Sequence, residues 1–228
     1  MELSIKLKPN LTATLRKSIY YIADEQYKIK KYKPWLGDLF CFIYDKSMVK
    51  NVFPKKFGGD IEHHYKILKK QMQDIHGHTI LELGTGTGNA AYFLNRDNYY
   101  CGIDTSAGLL RRAVKRFETS GFPNAVCYLA SADDLPFAEN QFAVLICHLS
   151  LHFFHDIHKV LLEIRRVMQP GASMYFSTPV PEREGSKSKI HGTLYSEEQY
   201  RTICSEHNMR FENLPDRNGN LLYFQTSL

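Results

Sequence analysis

A short apolar run, Thr79-Ile80-Leu81-Glu82-Leu83, leads directly into Gly84-Thr85-Gly86-Thr87-Gly88. Three glycines at alternate positions after a strand-like segment constrain the fold more than any other stretch of the chain. Glycine has no Cβ, so the backbone can turn through positive φ and approach a ligand closely. A helix after such a loop presents unpaired amides. In open parallel sheets, ligands sit at the carboxyl ends of the strands. Asp104 closes the next apolar run, 99–103, sixteen residues after Gly88. An acid there can accept hydrogen bonds from both hydroxyls of a ribose. The loop alone leaves the ligand open, because Gly86-Thr87-Gly88-Asn89-Ala90-Ala91 also satisfies the dinucleotide pattern G-x-G-x-x-A.

Beyond the loop, strand and helix patterns alternate. Strands are predicted over 79–83, 99–103, 125–129, 142–147 and 173–178. Between them fall a helix starting over 89–94, one over 107–118 capped by Ser106, and one over 158–168 stopped by Pro170-Gly171. Ser196 caps a further helix reaching about residue 207. Such alternation implies a parallel sheet with helices on both faces. The end differs: 210–214 and 221–226 flank Asp216-Arg217-Asn218-Gly219, which predicts an antiparallel hairpin. Upstream, Leu11, Leu15, Ile19 and Ile22 recur at helical spacing and predict an amphipathic helix. Trp35, Phe40, Phe42 and Tyr44 form an aromatic stretch, residues 53–59 read as a loop, and Asp60 caps a helix over 61–75.

No run of ~18 apolar residues is present. The N-terminus lacks the charged start, apolar stretch and cleavage site of a signal peptide. The five cysteines are widely spaced with no C-x-x-C pair, and three fall in predicted strands. Buried reduced thiols and a cytoplasmic location are expected. The net charge of +5 conceals an asymmetry: residues 1–70 balance at +8 and residues 71–228 at −3. The basic N-terminal segment is either a solvated face or a meeting point for an anionic substrate, a membrane surface or nucleic acid.

Four stretches in order resemble the motifs of class I S-adenosylmethionine (SAM)-dependent methyltransferases. They are Ile80–Gly88, Gly102-Ile103-Asp104-Thr105-Ser106, Ala132-Asp133-Asp134-Leu135-Pro136-Phe137 with Gln141-Phe142, and Val160–Gly171. The likeness covers about 60–228 and is nearest the small-molecule group that includes the ubiquinone and menaquinone biosynthesis methyltransferases. It implies an α/β, Rossmann-like three-layer sandwich. The expected sheet is seven-stranded and mostly parallel, with a C-terminal antiparallel hairpin and a helical N-terminal extension. Residues 1–60 would form a partly helical lid and 61–228 the methyltransferase domain.

The resemblance assigns roles to matching positions. Glu82, Gly84, Thr85, Gly86 and Gly88 would surround the methionine end of SAM. Asp104 would hold the ribose and Thr105 would lie against the adenine. Ala132 would offer its backbone N–H to the adenine ring, and Tyr44 would cover the cofactor. His148 would sit beside the sulfonium and the acceptor. Three positions depart from the pattern. Ser131 stands where an Asp often contacts the adenine amino group, and Asp133 is the candidate substitute. Ala143 replaces the acid of a Phe-Asp pair, and Ala172 replaces the second glycine after Pro170.

Residues 148–158 hold His148, His152, His155 and His158. On one continuous helix the first three would share a face able to bind a metal. The strand ending at Cys147 argues for a turn instead, so no metal site is expected. Methyl transfer from a sulfonium donor needs alignment and a dry site, and a base only where the nucleophile arrives protonated. His148 and His152 are the candidate general bases or pocket-packing residues. The loop 181–192, with Arg183, Lys187, Lys189 and His191, either recognises an anion or is an ordinary connection. The expected function is transfer of a methyl group from SAM to a small-molecule acceptor by a monomer or homodimer. The segment Cys147-His148-Leu149-Ser150 lacks the motif of base or amide methyltransferases, which disfavours nucleic acid. RNA or protein methylation and a non-catalytic SAM-binding role stay open as alternatives.

Overall fold

The computed structural model describes residues 5–32, 44–181 and 190–228. Among these residues nine strands form one sheet: β1 (Thr12–Arg16), β2 (Ile19–Ala23), β3 (Thr79–Leu83), β4 (Tyr99–Asp104), β5 (Ala125–Leu129), β6 (Phe142–His148), β7 (Met168–Pro179), β8 (Arg210–Asn213) and β9 (Leu221–Ser227). Their order is β1-β2-β5-β4-β3-β6-β7-β9-β8. β2 through β7 pair in parallel, while β1 with β2, β7 with β9 and β8 with β9 are antiparallel. The α-helices among the described residues are α1 (Tyr44–Ser47), α2 (Ile61–Met72), α3 (Ala107–Thr119), α4 (Ile157–Val167) and α5 (Glu197–Glu206).

Successive side chains of a strand point to opposite faces, and the core divides accordingly. Ile80, Tyr100 and Ile146 pack with Leu68 of α2 and Phe117 of α3. Leu81, Cys101 and Leu145 pack with Ile164 of α4 and Tyr200 of α5. The result is the expected three-layer α/β sandwich. Helix starts follow side-chain capping: Asp60, Ser106, Asp156 and Ser196 each accept a backbone N–H of the first turn.

Three local expectations are corrected. Residues 11–22 are not a helix: 12–23 is a hairpin, which raises the strand count from seven to nine. Lys17 and Ser18 turn it at φ 49° and 60°. Ile19-Tyr20-Tyr21-Ile22 is β-branched and aromatic, which suits a strand. β2 finds its partner in the open edge of β5, where Tyr20 stacks on Tyr128 at 4.8 Å. Residues 53–59 are not a loop: a π-helix, Met48–Phe57, runs on from α1 and ends at Gly58, φ 62°. Its Phe53 and Phe57 are buried against the α2 side of the sheet, which holds the segment down. The helix expected from 89 is a single 3-10 turn, Asn89–Tyr92.

Lys8 pairs with Asp134 at 3.1 Å and Glu163 at 3.0 Å, and Lys30 also pairs with Asp134. Part of the N-terminal basic character is therefore spent inside the fold. Cys101, Cys127, Cys147 and Cys204 are buried free thiols. No helix among the described residues is long and apolar enough to cross a membrane. Trp35, Phe40, Phe42 and residues 182–189 of the 181–192 loop lie outside the described residues, as does the Tyr44 side chain.

Candidate active site

The glycine loop crosses the carboxyl end of the sheet between β3 and β4. Gly84, Gly86 and Gly88 all have positive φ, at 70°, 56° and 80°. Gly84 and Thr85 donate their amides to the Ile103 carbonyl at 3.0 and 2.9 Å. The Asp104 carboxylate accepts the Gly86 N–H at 2.9 Å and the Ser106 N–H at 2.8 Å. A Cβ on Gly84 would fall 2.4 Å from the Ser150 hydroxyl, which itself donates to the Gly84 carbonyl. Gly88 has a different task. Its missing Cβ leaves room for Ala113 of α3, 2.7 Å from where that atom would be. It lines neither of the two cavities below.

Two adjoining cavities share Gly84, Gly86, Leu149 and Ser150. The larger, about 360 Å³, is bounded by Asp104, Thr105, Ser131, Ala132 and Asp133, with Phe154 and His155 across from them. The Ser131 hydroxyl donates to the Asp133 carboxylate, so the departure at Ser131 and its candidate substitute meet on one wall. The smaller, about 60 Å³, is bounded by Glu82, Thr85, His148, His64, Tyr65 and Phe93, among others. Glu82 is buried and accepts a hydrogen bond from the Tyr100 hydroxyl. Burial, followed by the nearby Asp104 charge, pushes its carboxyl up to about 8 against the Tyr100 and Thr85 hydrogen bonds.

His148 lies where β6 ends. Its Nδ1 is 3.1 Å from the Ser177 hydroxyl, and its Nε2 is buried with no hydrogen-bond partner among the described residues. Burial lowers its pKa to about 3, so the ring is neutral. His152 is on a separate 3-10 turn, Leu151–Phe153, and packs on Phe153 at 4.0 Å. It lines neither cavity, and burial followed by Lys56 lowers its pKa to about 4. The segment turns after Cys147 as expected, and no three metal-binding side chains are grouped among the described residues.

Three features escape a reading of the sequence. His64 occupies an inward position of α2, bonded at Nδ1 to the Tyr223 hydroxyl at 2.8 Å and 6.2 Å from the His148 ring. Only its place on an otherwise apolar helical stripe with Ile61, Leu68 and Met72 hinted at it. Tyr100 lies two residues before Gly102, hence on the same face, and its hydroxyl uses the space Gly102 leaves. Asp45 accepts from the Thr87 hydroxyl at 2.6 Å and from Arg116 at 2.6 Å and Arg112 at 3.2 Å. Burial opposes ionisation of Asp45, but the Thr87 and Arg116 contacts outweigh it and hold its pKa below the usual range. This network fastens the 44–57 segment to the glycine loop.

A family model described as a methyltransferase domain matches residues 81–176, which span the loop, β4 through β6 and most of β7. Over this stretch the chain is similar to that methyltransferase family. The ubiquinone/menaquinone biosynthesis C-methyltransferase of Desulfotalea psychrophila is 37% identical over 95 residues, covering 40% of this chain and 37% of that protein. The demethylmenaquinone methyltransferase of Thermotoga maritima is 26% identical over 172 residues, 74% of this chain and 69% of that one. The chain spans about half the length of the curated relatives it matches. Among solved structures, a SAM-dependent methyltransferase from Aquifex aeolicus superposes with a TM-score of 0.60 at 18% identity. It covers 79% of this chain and 94% of its own. The chain thus shares the fold of that enzyme, while β1 and β2 lie upstream of the matched family segment.

Proposed function

We propose that this chain transfers the sulfonium methyl of SAM to a small, uncharged acceptor with an apolar or aromatic body and a hydroxyl near the reacting atom. The observation that carries the reading is the pair of joined cavities around Gly84 and Gly86. A volume of about 360 Å³ is in the range of small-molecule sites. The Asp104 carboxylate, at the end of β4, suits ribose hydroxyls. Ser131, Ala132 and Asp133 supply hydroxyl, amide and carboxylate groups for a base. The smaller cavity, with Glu82 on its wall, suits the charged methionine end.

When bound, SAM supplies an electrophilic methyl on a sulfur leaving group. The chain's residues align, exclude water and handle a proton. The acceptor loses its proton to solvent or to a hydrogen-bonded neighbour as the new bond to methyl forms and the S–CH₃ bond breaks. His148 Nε2, neutral and without a partner among the described residues, is the group offered to an acceptor hydroxyl. His64, Tyr65, Phe53, Leu68 and Phe93 give that wall an apolar and aromatic character. No lysine or arginine is among its described lining, which disfavours phosphorylated or carboxylated acceptors. Relatives named for ubiquinone and menaquinone biosynthesis support a quinol-type ring as the first acceptor to try.

Titration calorimetry with SAM and with its demethylated product tests the cofactor half of this reading. Turnover of a panel of short-chain benzoquinols and naphthoquinols tests the acceptor half. Binding of neither cofactor form overturns the reading; binding without turnover across the panel favours a non-catalytic SAM-binding role.

A further inference from the structure

Glu82 and Gly102 face each other across the parallel pair β3 and β4. Tyr100 precedes Gly102 by two residues, so its side chain emerges on the same face. A Cβ at Gly102 would fall 2.5 Å from the Tyr100 hydroxyl and 2.3 Å from the Thr85 hydroxyl. Only glycine leaves room for both. The Tyr100 hydroxyl donates to Glu82 Oε2 and lies 3.1 Å from Thr85 Oγ1. Its ring is clamped from behind by Phe117 of α3, stacked at 4.0 Å. The phenol therefore has a fixed position beneath the glycine loop, aimed at a carboxyl on the cavity wall.

We propose that Tyr100 is a positioning residue which, through the gap left by Gly102, holds Glu82 as an ionisable counter-charge, so that binding of the cationic methyl donor expels a proton from Glu82. The inference rests on reading the site as a SAM site. The step balances: a neutral Glu82 carboxylic acid and a donor of net charge +1 become a carboxylate with the donor beside it, plus one proton released to solvent. The demethylated product has lost the sulfonium charge, so it draws a smaller release.

The surroundings favour the uncharged acid until a cation arrives. Facing Glu82 are Tyr100 and Asp104 from β4, Thr85 from the loop, Cys127 from β5 and His148 from β6, with Cys147 of β6 within electrostatic reach on the other face of the sheet. His64 of α2 lines the same cavity, and burial holds it neutral, as it does His148. None of these groups is a cation. A buried acid with no positive neighbour keeps its proton, and a cation placed beside it reverses the balance.

Calorimetry of the full chain with SAM, in buffers of different ionisation enthalpy between pH 6 and 9, reads the proton directly. At pH 7 the wild type is expected to release most of one proton, and SAM affinity is expected to rise with pH and level off near pH 8. Tyr100→Phe keeps the ring and its stack but removes the donor. The levelling point should move upward, with roughly tenfold weaker binding at pH 7 for each unit of that movement. Glu82→Gln should abolish the release. As a check independent of any ligand, the infrared carboxylic-acid band of the wild type at pH 6 should disappear in Glu82→Gln. In Tyr100→Phe it should persist to higher pH. An unchanged pH profile in Tyr100→Phe, even with a lower Tm, reduces Tyr100 to a packing residue and overturns the proposal alone. Failure of the wild type to bind SAM at any pH overturns the cofactor reading and this proposal together.

Discussion

Asp104 accepts the Gly86 amide at 2.9 Å, so the residue that closes β4 also fixes the apex of the glycine loop. Its other oxygen takes the Ser106 amide at the start of α3. One carboxylate thereby ties together the strand, the loop and the helix around the larger cavity. Asp104→Ala should weaken SAM binding by ~1–3 kcal/mol, through lost ribose hydrogen bonds and a loosened loop. Asp104→Asn, which keeps an acceptor oxygen, should fall between. Calorimetry measures both, and an unchanged affinity would show that Asp104 does not reach the cofactor.

Gly88→Ala should destabilise the fold more than any other single change in the loop. At φ 80° the new Cβ would be strained, and it would meet Ala113 Cα at 2.7 Å, a backbone atom that cannot rotate away. Together these effects cost about 2–5 kcal/mol. Thermal or urea unfolding would read the loss. Gly86→Ala carries similar backbone strain but no close contact, and should cost less.

Three buried groups pull pH stability in opposite directions. Glu82 has a pKa of about 8 when folded against an ordinary 4.5, so the folded state keeps a proton the unfolded chain loses. Its contribution is present at low pH and is lost as pH rises towards 8. His148 and His152, at about 3 and 4 against 6.5, act the other way: their contribution is lost as pH falls below 6.5. Above pH 6.5 only Glu82 of these three still titrates. The ligand-free protein should therefore lose stability between pH 6.5 and 8, by at most ~1.4 kcal/mol per pH unit. Glu82→Gln should flatten that slope in chemical denaturation. A wild type that is already flat would contradict the assignment.

Asp45 and Arg116 join the 44–57 segment to α3 at 2.6 Å, with side chains 30% and 15% exposed. Solvent screening limits such a pair, so a double-mutant cycle on Asp45→Ala and Arg116→Ala should give a coupling of about 0.5–1.5 kcal/mol. Thr87 shares the network through its hydroxyl. Breaking the pair should also speed limited proteolysis within 44–57 relative to the sheet. Zero coupling would mean that Phe53 and Phe57 hold the segment by packing alone.

Much of the site was legible as local pattern. Glu82, the three glycines and Asp104 could be placed because a strand followed by a glycine turn is specified by neighbouring residues. The sorting of Gly88 away from the cavity was not legible, since it depends on how closely α3 approaches. His152 shows the same limit: its spacing from His148 was clear, but the turn at Leu149, φ 59°, sends the two rings in different directions. Tyr100 read as one more strand aromatic, because its meaning lies in the empty space over Gly102 and in Glu82 on another strand.

By itself, the sequence determined the alternating strands and helices, the glycine loop with its acid, and the terminal hairpin. Each is written in short-range terms: period-two or period-3.6 burial, capping side chains, and glycines that permit positive φ. Only the tertiary structure decided the rest. The same four apolar residues, Leu11, Leu15, Ile19 and Ile22, fit a helix, and the open edge of β5 made that segment a hairpin instead. Asp45 and Thr87, forty-two residues apart, and Tyr100 and Glu82, eighteen apart, became partners only when the sheet and its helices closed. Hydrogen bonds and burial act between groups near in space, and which groups come near is a property of the whole packed chain.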